Sequence, residues 1–261
     1  MTKPVIWITG ASSGIGEAAA KKFSSEGFRV IISARREAEL IRVQSACANP
    51  NLVKILPLDL VEIESFETKA KEAISFFGQI DIMLHNGGIS QRSLIKETSL
   101  EVDRKLMEVN YFGTIALTKV LLPHFIQRKS GHFVVITSLV GKFASPYRSS
   151  YAASKHALHG FFDTLRAELF QENIHVSLVC PGFIKTEVSI NALTADGTPL
   201  GSMDEAQAKG MSAEKFADKL FSVIQKKKQE VYIGGKEALA VYVKRFFPGL
   251  FSKLIRKAKV R

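Results

Sequence analysis

Seven short apolar, β-branched runs separated by helix-length amphipathic stretches constrain this chain more than any other feature. The runs lie at 5–10, 29–34, 53–59, 81–86, 131–138, 175–182 and 231–235. Most are apolar throughout rather than alternating, as expected of strands covered on both faces. Amphipathic stretches near 14–27, 36–47, 62–77, 99–129, 151–171 and 212–227 read as the intervening helices. The repeated strand–helix–strand order predicts an α/β chain: one doubly wound domain, with a seven-stranded parallel sheet and helices on both faces. No repeat or break in composition marks a second domain. The domain is expected over 1–235. Residues 186–210, rich in small and polar side chains, read as a lid loop over a substrate, and 236–261 as a tail.

With 261 residues, 46% of them hydrophobic, the chain can bury a substantial core. Its two cysteines, Cys47 and Cys180, suggest neither a disulfide framework nor a metal site. The N-terminus runs straight into a strand without a secretory signal, and no apolar run is long enough to span a bilayer. A reducing, cytoplasmic setting is the expectation. The net charge of +11 is uneven: residues 226–261 hold eleven Lys/Arg against Glu230 and Glu237, whereas 1–225 hold 25 Lys/Arg against 23 Asp/Glu. Any anionic partner therefore belongs to the tail.

The stretch "TGASSGIG", residues 9–16, leaves the first strand and enters a helix. Gly10, Gly14 and Gly16 permit a tight turn and a close backbone approach, so that the amides at the helix start can face a pyrophosphate. This is the phosphate loop of a Rossmann-like domain, with the spacing G-x-x-x-G-x-G. The second strand ends in Ser33, Ala34, Arg35 and Arg36, with no carboxylate before Glu37. A site for NAD(H) usually places an acid there, whereas guanidinium groups suit the extra phosphate of NADP(H). NADP(H) is the expected cofactor, with Arg35 the stronger candidate because it sits nearer the strand.

The fifth strand ends at Ser138, on the edge where open α/β sheets bind ligands. Tyr151 follows 13 residues later, and Lys155 shares its helical face. Tyr232 and Lys236 repeat the spacing, but across a strand and a glycine pair, where they would stand roughly 13 Å apart. Only the first pair can cooperate on one helix.

These motifs together resemble the short-chain dehydrogenase/reductase family. The matching residues are Thr9 with Gly10, Gly14 and Gly16; "NGG" at 86–88; Asn110 in "EVNYFG"; Ser138; "YAASK" at 151–155; and "PGFIKT" at 181–186. The resemblance implies an oxidoreductase that interconverts a carbonyl and an alcohol without a metal. Tyr151 would be the acid/base and Ser138 would bond the substrate oxygen. Lys155 would hold the nicotinamide ribose and lower the tyrosine pKa, and Asn110 would position a water in a proton relay. The implied cofactor contacts are Gly10, Ser12, Ser13, Gly14, Ile15, Gly16, Arg35, Arg36, Asp59, Leu60, Asn86, Gly87, Tyr151, Lys155, Pro181, Gly182, Ile184 and Thr186. Where the family often shows "NNAG", this chain has His85 and Gly87. His85 is expected to be a hydrogen-bonded strand end, and Cys180 a buried, inert thiol. The chain looks most like the branch that contains dehydrogenase/reductase member 7 and the 11β-hydroxysteroid dehydrogenases, which suggests a lipophilic small-molecule substrate.

In the tail, Leu250, Phe251, Leu254, Ile255 and Ala258 could line one helical face, with Lys253, Arg256, Lys257 and Lys259 on the others. Such a helix can lie on an anionic membrane; alternatively Phe246, Phe247 and Phe251 pack on the domain. A homodimer or homotetramer is a family expectation, and no nucleic-acid partner is indicated. The alternative class is a non-catalytic NADP-binding sensor or scaffold. Its members commonly lack a reaction residue, whereas all four are present here.

Overall fold

The computed structural model describes residues 3–258. The strands are β1 (Val5–Thr9), β2 (Arg29–Ser33), β3 (Val53–Ile55), β4 (Ile82–His85), β5 (Gly131–Ile136), β6 (Ile174–Pro181), β7 (Ile184–Lys185), β8 (Met211–Ser212) and β9 (Glu230–Ile233). The main helices are α1 (Gly14–Ser25), α2 (Glu37–Ser45), α3 (Phe66–Phe77), α4 (Leu100–Met107), α5 (Gly113–Arg128), α6 (Ser149–Glu168), α7 (Glu205–Ala208), α8 (Ala213–Gln225), α9 (Leu239–Phe246) and α10 (Pro248–Ile255). Seven strands form one sheet in the order β3-β2-β1-β4-β5-β6-β9, with every neighbouring pair parallel. The expected doubly wound, Rossmann-like architecture is present.

Alternate side chains of β1 explain why helices are needed on both faces. Ile6 and Ile8 join Val30 and Ile32 under α1 and α8, where Phe23, Phe216 and Leu220 are buried. Val5 and Trp7 point the other way, with Ile31, into a core built by Phe66, Leu117, Phe125 and Phe162 from α3, α5 and α6. Each fully buried side chain of this size contributes about 1.5–3 kcal/mol. Trp7 donates its indole N–H to Ser33 Oγ at 2.8 Å, so its one polar atom is satisfied inside that core.

Two expectations about length are corrected. The third run stops being a regular strand at Ile55, because Pro57 has no N–H for the ladder; Leu56 and Leu58 still donate to Ile32 and Ala34. The segment 186–210 is not an open loop. The short β7–β8 ribbon closes its two ends, and within it lie a bridge from Leu193 to Gln91 and the α7 turn. The segment is a folded excursion across the C-terminal edge of the sheet.

The tail forms α9 and α10, whose Val241 and Phe251 are buried against Leu139, Phe143 and Cys180. Phe251 therefore packs on the domain, as one expectation had it. Phe246 and Phe247 do not: they are 68% and 62% exposed. Leu250 and Leu254 are also exposed, Ala258 lies beyond the helix, and Lys259 falls outside the described residues. No described helix is long and apolar enough to cross a membrane.

Candidate active site

The phosphate loop is built by two left-handed glycines, Gly10 at φ +64° and Gly14 at φ +56°. A Cβ on Gly16 would stand 2.2 Å from the Gly10 carbonyl, so only glycine lets the helix come this close. Asn86 fastens the loop from β4, donating its side-chain amide to Thr9 O and Gly10 O at 3.0 Å each. Thr9 Oγ1 accepts in return from the amides of Asn86 and Gly87 at 3.1 Å. Ser13 precedes α1 without capping it through its side chain, so the first-turn amides stay available to an anion. These features fit a dinucleotide pyrophosphate.

A cleft of about 520 Å³ opens beside this loop, lined by Ser13, Gly14, Arg36, Arg42, Thr186 and Met203 among others. Arg36 lines it and donates to Ser12 Oγ at 3.5 Å, whereas Arg35, exposed like Arg36, does not line it. The geometry thus brings Arg36, and not Arg35, to this cleft. Arg42, which the sequence reading passed over, clamps Glu17 at 2.7 Å and donates to Ser12 O at 3.3 Å. The Arg42–Glu17 bond, ahead of the cost of burial, holds the Glu17 carboxyl at about 2.

On the other sides of the cleft, Thr186 Cγ2 lies 3.0 Å from where a Gly14 Cβ would be. Gln207, from the excursion, donates to Ile184 O at 2.8 Å and to Thr186 Oγ1 at 3.3 Å. Pro181 ends β6, and the Gly182 amide donates to Ile233 O across to β9. Asp59 accepts from the Val61 amide at 3.2 Å, the geometry of a local turn. Leu60 reaches the loop: its Cδ1 stands 2.8 Å from a Cβ built on Gly87. Ile15, in the first turn of α1, packs against the core beneath that helix.

At the reaction end, Ser138 Oγ accepts the Val140 amide at 3.3 Å, which leaves its own proton to donate. Tyr151 stands on the first turn of α6, half-buried, with Ser138 facing its phenol. Burial pushes the phenol up; Ser138 and then the cations Arg92 and Arg148 act the other way. Lys155 is buried, donates to Ile136 O at 2.9 Å, and places Nζ 5.8 Å from the Tyr151 ring centroid. Its burial lowers the ammonium to about 8. The positive charges that act on Tyr151 thus include two arginines absent from the sequence-derived set.

Asn110 sits in a widened π-type turn, Glu108–Phe112, between α4 and α5. Its side chain accepts from the Ile89 amide at 2.8 Å and donates to Ile89 O at 2.9 Å and Ser154 Oγ at 3.0 Å. The amide is committed to holding the 88–89 segment against α6. Gly88 is where this matters: a Cβ there would be 3.0 Å from Asn110 Oδ1 and 3.6 Å from Lys155 Nζ.

The remaining singled-out residues are structural. His85 is buried, bonds Thr118 Oγ1 at 2.8 Å and stacks on Phe133. Thr118 donates to Thr114 O, so it accepts from His85 Nε2–H, and the unpartnered Nδ1 is a lone pair rather than a stranded proton. Burial pushes Cys180 up to about 12, consistent with an inert thiol. Tyr232 of the second Tyr/Lys pair donates to Glu230 on the edge strand and takes no part in the site.

With this geometry in view, comparison with known proteins is direct. The model of the short chain dehydrogenase family matches residues 4–196. The chain belongs to the short-chain dehydrogenase/reductase family. It is 43% identical to a dehydrogenase/reductase SDR family protein 7-like of Drosophila melanogaster, over 98% of this chain and 81% of the fly protein. It is 40% identical to dehydrogenase/reductase SDR family member 7B of Mus musculus, over 96% of this chain and 80% of that protein. Among solved structures, a short-chain dehydrogenase from Streptomyces avermitilis aligns with TM-score 0.82 and 26% identity, over 98% of this chain and 96% of its own. An alcohol dehydrogenase from Thermococcus sibiricus, complexed with 5-hydroxy-NADP, aligns with TM-score 0.76 and 25% identity, over 90% and 97%. The chain is thus an oxidoreductase of this family, and the cofactor it calls for is a nicotinamide dinucleotide.

Proposed function

We propose that this protein is an NADP(H)-dependent oxidoreductase that interconverts a carbonyl and an alcohol on a lipophilic small molecule, with Tyr151 as acid/base. The observation that carries the reading is the convergence of Ser138, Tyr151 and Lys155 at the C-terminal edge of the sheet, the edge that also carries the phosphate loop. When bound, a nicotinamide would supply the chemistry of hydride transfer to or from the substrate carbon. For reduction, the Tyr151 hydroxyl donates its proton to the substrate oxygen while Ser138 donates a hydrogen bond to the same atom. Lys155 spends one N–H on Ile136 O and keeps the others for ribose hydroxyls. Asn110 and Gly88 keep the floor beneath the ammonium fixed. Reduction is the favoured direction, since NADPH ordinarily serves as the reductant.

Arg36 at the cleft, with no acid at the end of β2, supports NADP(H) over NAD(H). Tyr151 packs with Ile89, Val102, Leu106 and Leu193, an apolar wall that suits a lipophilic substrate. A screen of lipophilic ketones, aldehydes and alcohols, read by nicotinamide absorbance, tests the activity. Tyr151→Phe should lower kcat at least 100-fold, in the range expected for loss of a positioned acid; retained turnover overturns the assignment. Arg36→Ala should weaken NADPH binding about tenfold or more and leave NADH nearly unchanged. Tighter binding of NADH than NADPH by the unaltered protein removes the cofactor reading.

The tail adds a second proposal. Leu239, Tyr242, Phe246, Phe247, Leu250 and Leu254 are all more than half exposed on α9–α10 and the turn between them. Lys244, Arg245, Lys253, Arg256 and Lys257 accompany them. An apolar face with cations among it is the surface that an anionic bilayer attracts, and peripheral membrane contact is its proposed role.

A further inference from the structure

Asp204, from the excursion, is buried and receives two buried guanidinium groups on one oxygen. Arg92 reaches its Oδ2 through Nε at 2.7 Å and Nη2 at 2.6 Å, and Arg148 reaches it through Nη2 at 3.3 Å. All three side chains are at most 6% exposed. Arg92 is further fixed by Ser90 Oγ at 2.7 Å and Gln91 O at 2.6 Å. The backbone repeats the fastening: Leu193 N donates to Ser90 O, and Arg92 N donates to Leu193 O, each at 2.8 Å. Arg148 precedes α6 and stands one turn before Tyr151.

Two cations and one anion leave a net positive charge in a site poor in water, where it acts strongly on a neighbour. The charged groups around Tyr151 are Arg92 from the segment after β4, Arg148 just before α6 and Lys155 on α6, with Asp204 of the excursion bound to the two arginines. Asp103 of α4 is engaged by Ser150 Oγ beside it. A buried ion triad is a poor investment in stability alone, because desolvation offsets the attraction. Its placement beside the reacting phenol gives it another use.

We propose that Arg92 and Arg148 are positioning residues whose surplus positive charge stabilises the ionised form of Tyr151, and that Asp204 sets the size of that surplus by seating the excursion on them. This rests on Tyr151 being the acid/base, but its decisive measurement does not need turnover. Seating of the excursion and readiness of the tyrosine then become one event: the carboxylate that closes the site also trims the charge from two to one.

The test is the ultraviolet titration of Tyr151, taken as the difference between each protein and the same protein carrying Tyr151→Phe. Arg148→Met and Arg92→Met should each raise the ionisation pH of Tyr151 by about one unit, the size expected for one nearby opposite charge. Asp204→Asn should lower it, and Arg148→Lys should restore the unaltered value. A merely structural triad makes a different forecast. Loosening it admits water to a phenol that burial has pushed up, so every variant would then ionise at lower pH. Uniformly lower or unmoved values in the methionine variants overturn the proposal; circular dichroism identifies any variant that has not folded, and Arg148→Lys then decides against Arg148→Gln. The pH profile of alcohol oxidation should move in the same directions. Should the unaltered protein turn nothing over, the acid/base assignment fails while the titration still decides the triad.

Discussion

A methyl group at Gly16 would overlap the Gly10 carbonyl at 2.2 Å and Asn86 Nδ2 at 2.6 Å, and backbone cannot give way as a flexible side chain can. Gly16→Ala should therefore weaken NADPH binding at least tenfold and cost about 1–3 kcal/mol of stability through overpacking. Fluorescence titration with NADPH and thermal denaturation check both; unchanged affinity would mean that the loop does not hold the pyrophosphate. At this scale the sequence is a good guide wherever a residue acts within its own segment. Gly10, Gly14 and Gly16 make one turn, and Tyr151 with Lys155 share one helix face. It is a poor guide where the fold brings distant residues together. Arg92 and Asp204 are 112 positions apart, Arg148 and Asp204 are 56 apart, and no local pattern links them. The same limit applies to Arg35 and Arg36: nearness to the strand was legible, but which of the two lines the cleft was not.

Elements were legible through their apolar runs, and the failures have physical causes. The helix expected over 99–129 is present as α4 and α5, but periodicity could not show the widened turn Glu108–Phe112 that carries Asn110. The tail shows a related ambiguity. A stripe of Leu250, Phe251, Leu254 and Ile255 says that a face is apolar, not what covers it. In the structure Phe251 is 6% exposed against Phe143, with ring centroids 5.4 Å apart, while Leu250 and Leu254 face outward. This changes the useful experiment. Truncation at Gly249 would uncover the Phe143–Val241 cluster as well as remove the exposed face, so it mixes two effects. The double substitution Phe246→Ser/Phe247→Ser leaves that cluster intact and should cut sedimentation with vesicles of anionic lipid tenfold or more, without changing thermal stability. Phe251→Ala should do the reverse, loosening α10 by about 3 kcal/mol, read as faster amide exchange in α10. Equal, negligible pelleting of the unaltered protein with neutral and anionic vesicles removes the membrane reading.

For the molecule as a whole, the doubly wound sheet seals His85 and His132 inside it, and these lead its response to acid, with His124 and His175 drawn down by burial in the same direction. His85 at the end of β4 and His132 in β5 both lie at about 3, in each case chiefly because burial disfavours the imidazolium; His175 and Lys227 add repulsion at His132. In the unfolded chain both titrate near the ordinary value of 6.5. Between those limits the unfolded state binds more protons than the folded one, so stability rises with pH across the window and falls on acidification. From pH 7 to pH 5 each histidine should cost about 2 kcal/mol. The carboxyls drawn down by partners, Glu17 and Glu230, both near 2, contribute stability that is lost only as pH falls below the ordinary carboxylate value. They leave the window above pH 5 to the histidines. Urea denaturation at pH 7 and pH 5 should therefore show a marked loss of stability at the lower value. His85→Asn removes one titrating ring and can keep a bond to Thr118, so its loss over the same interval should be smaller by about 2 kcal/mol. A variant as acid-sensitive as the unaltered protein would mean that His85 is not held neutral in the folded state.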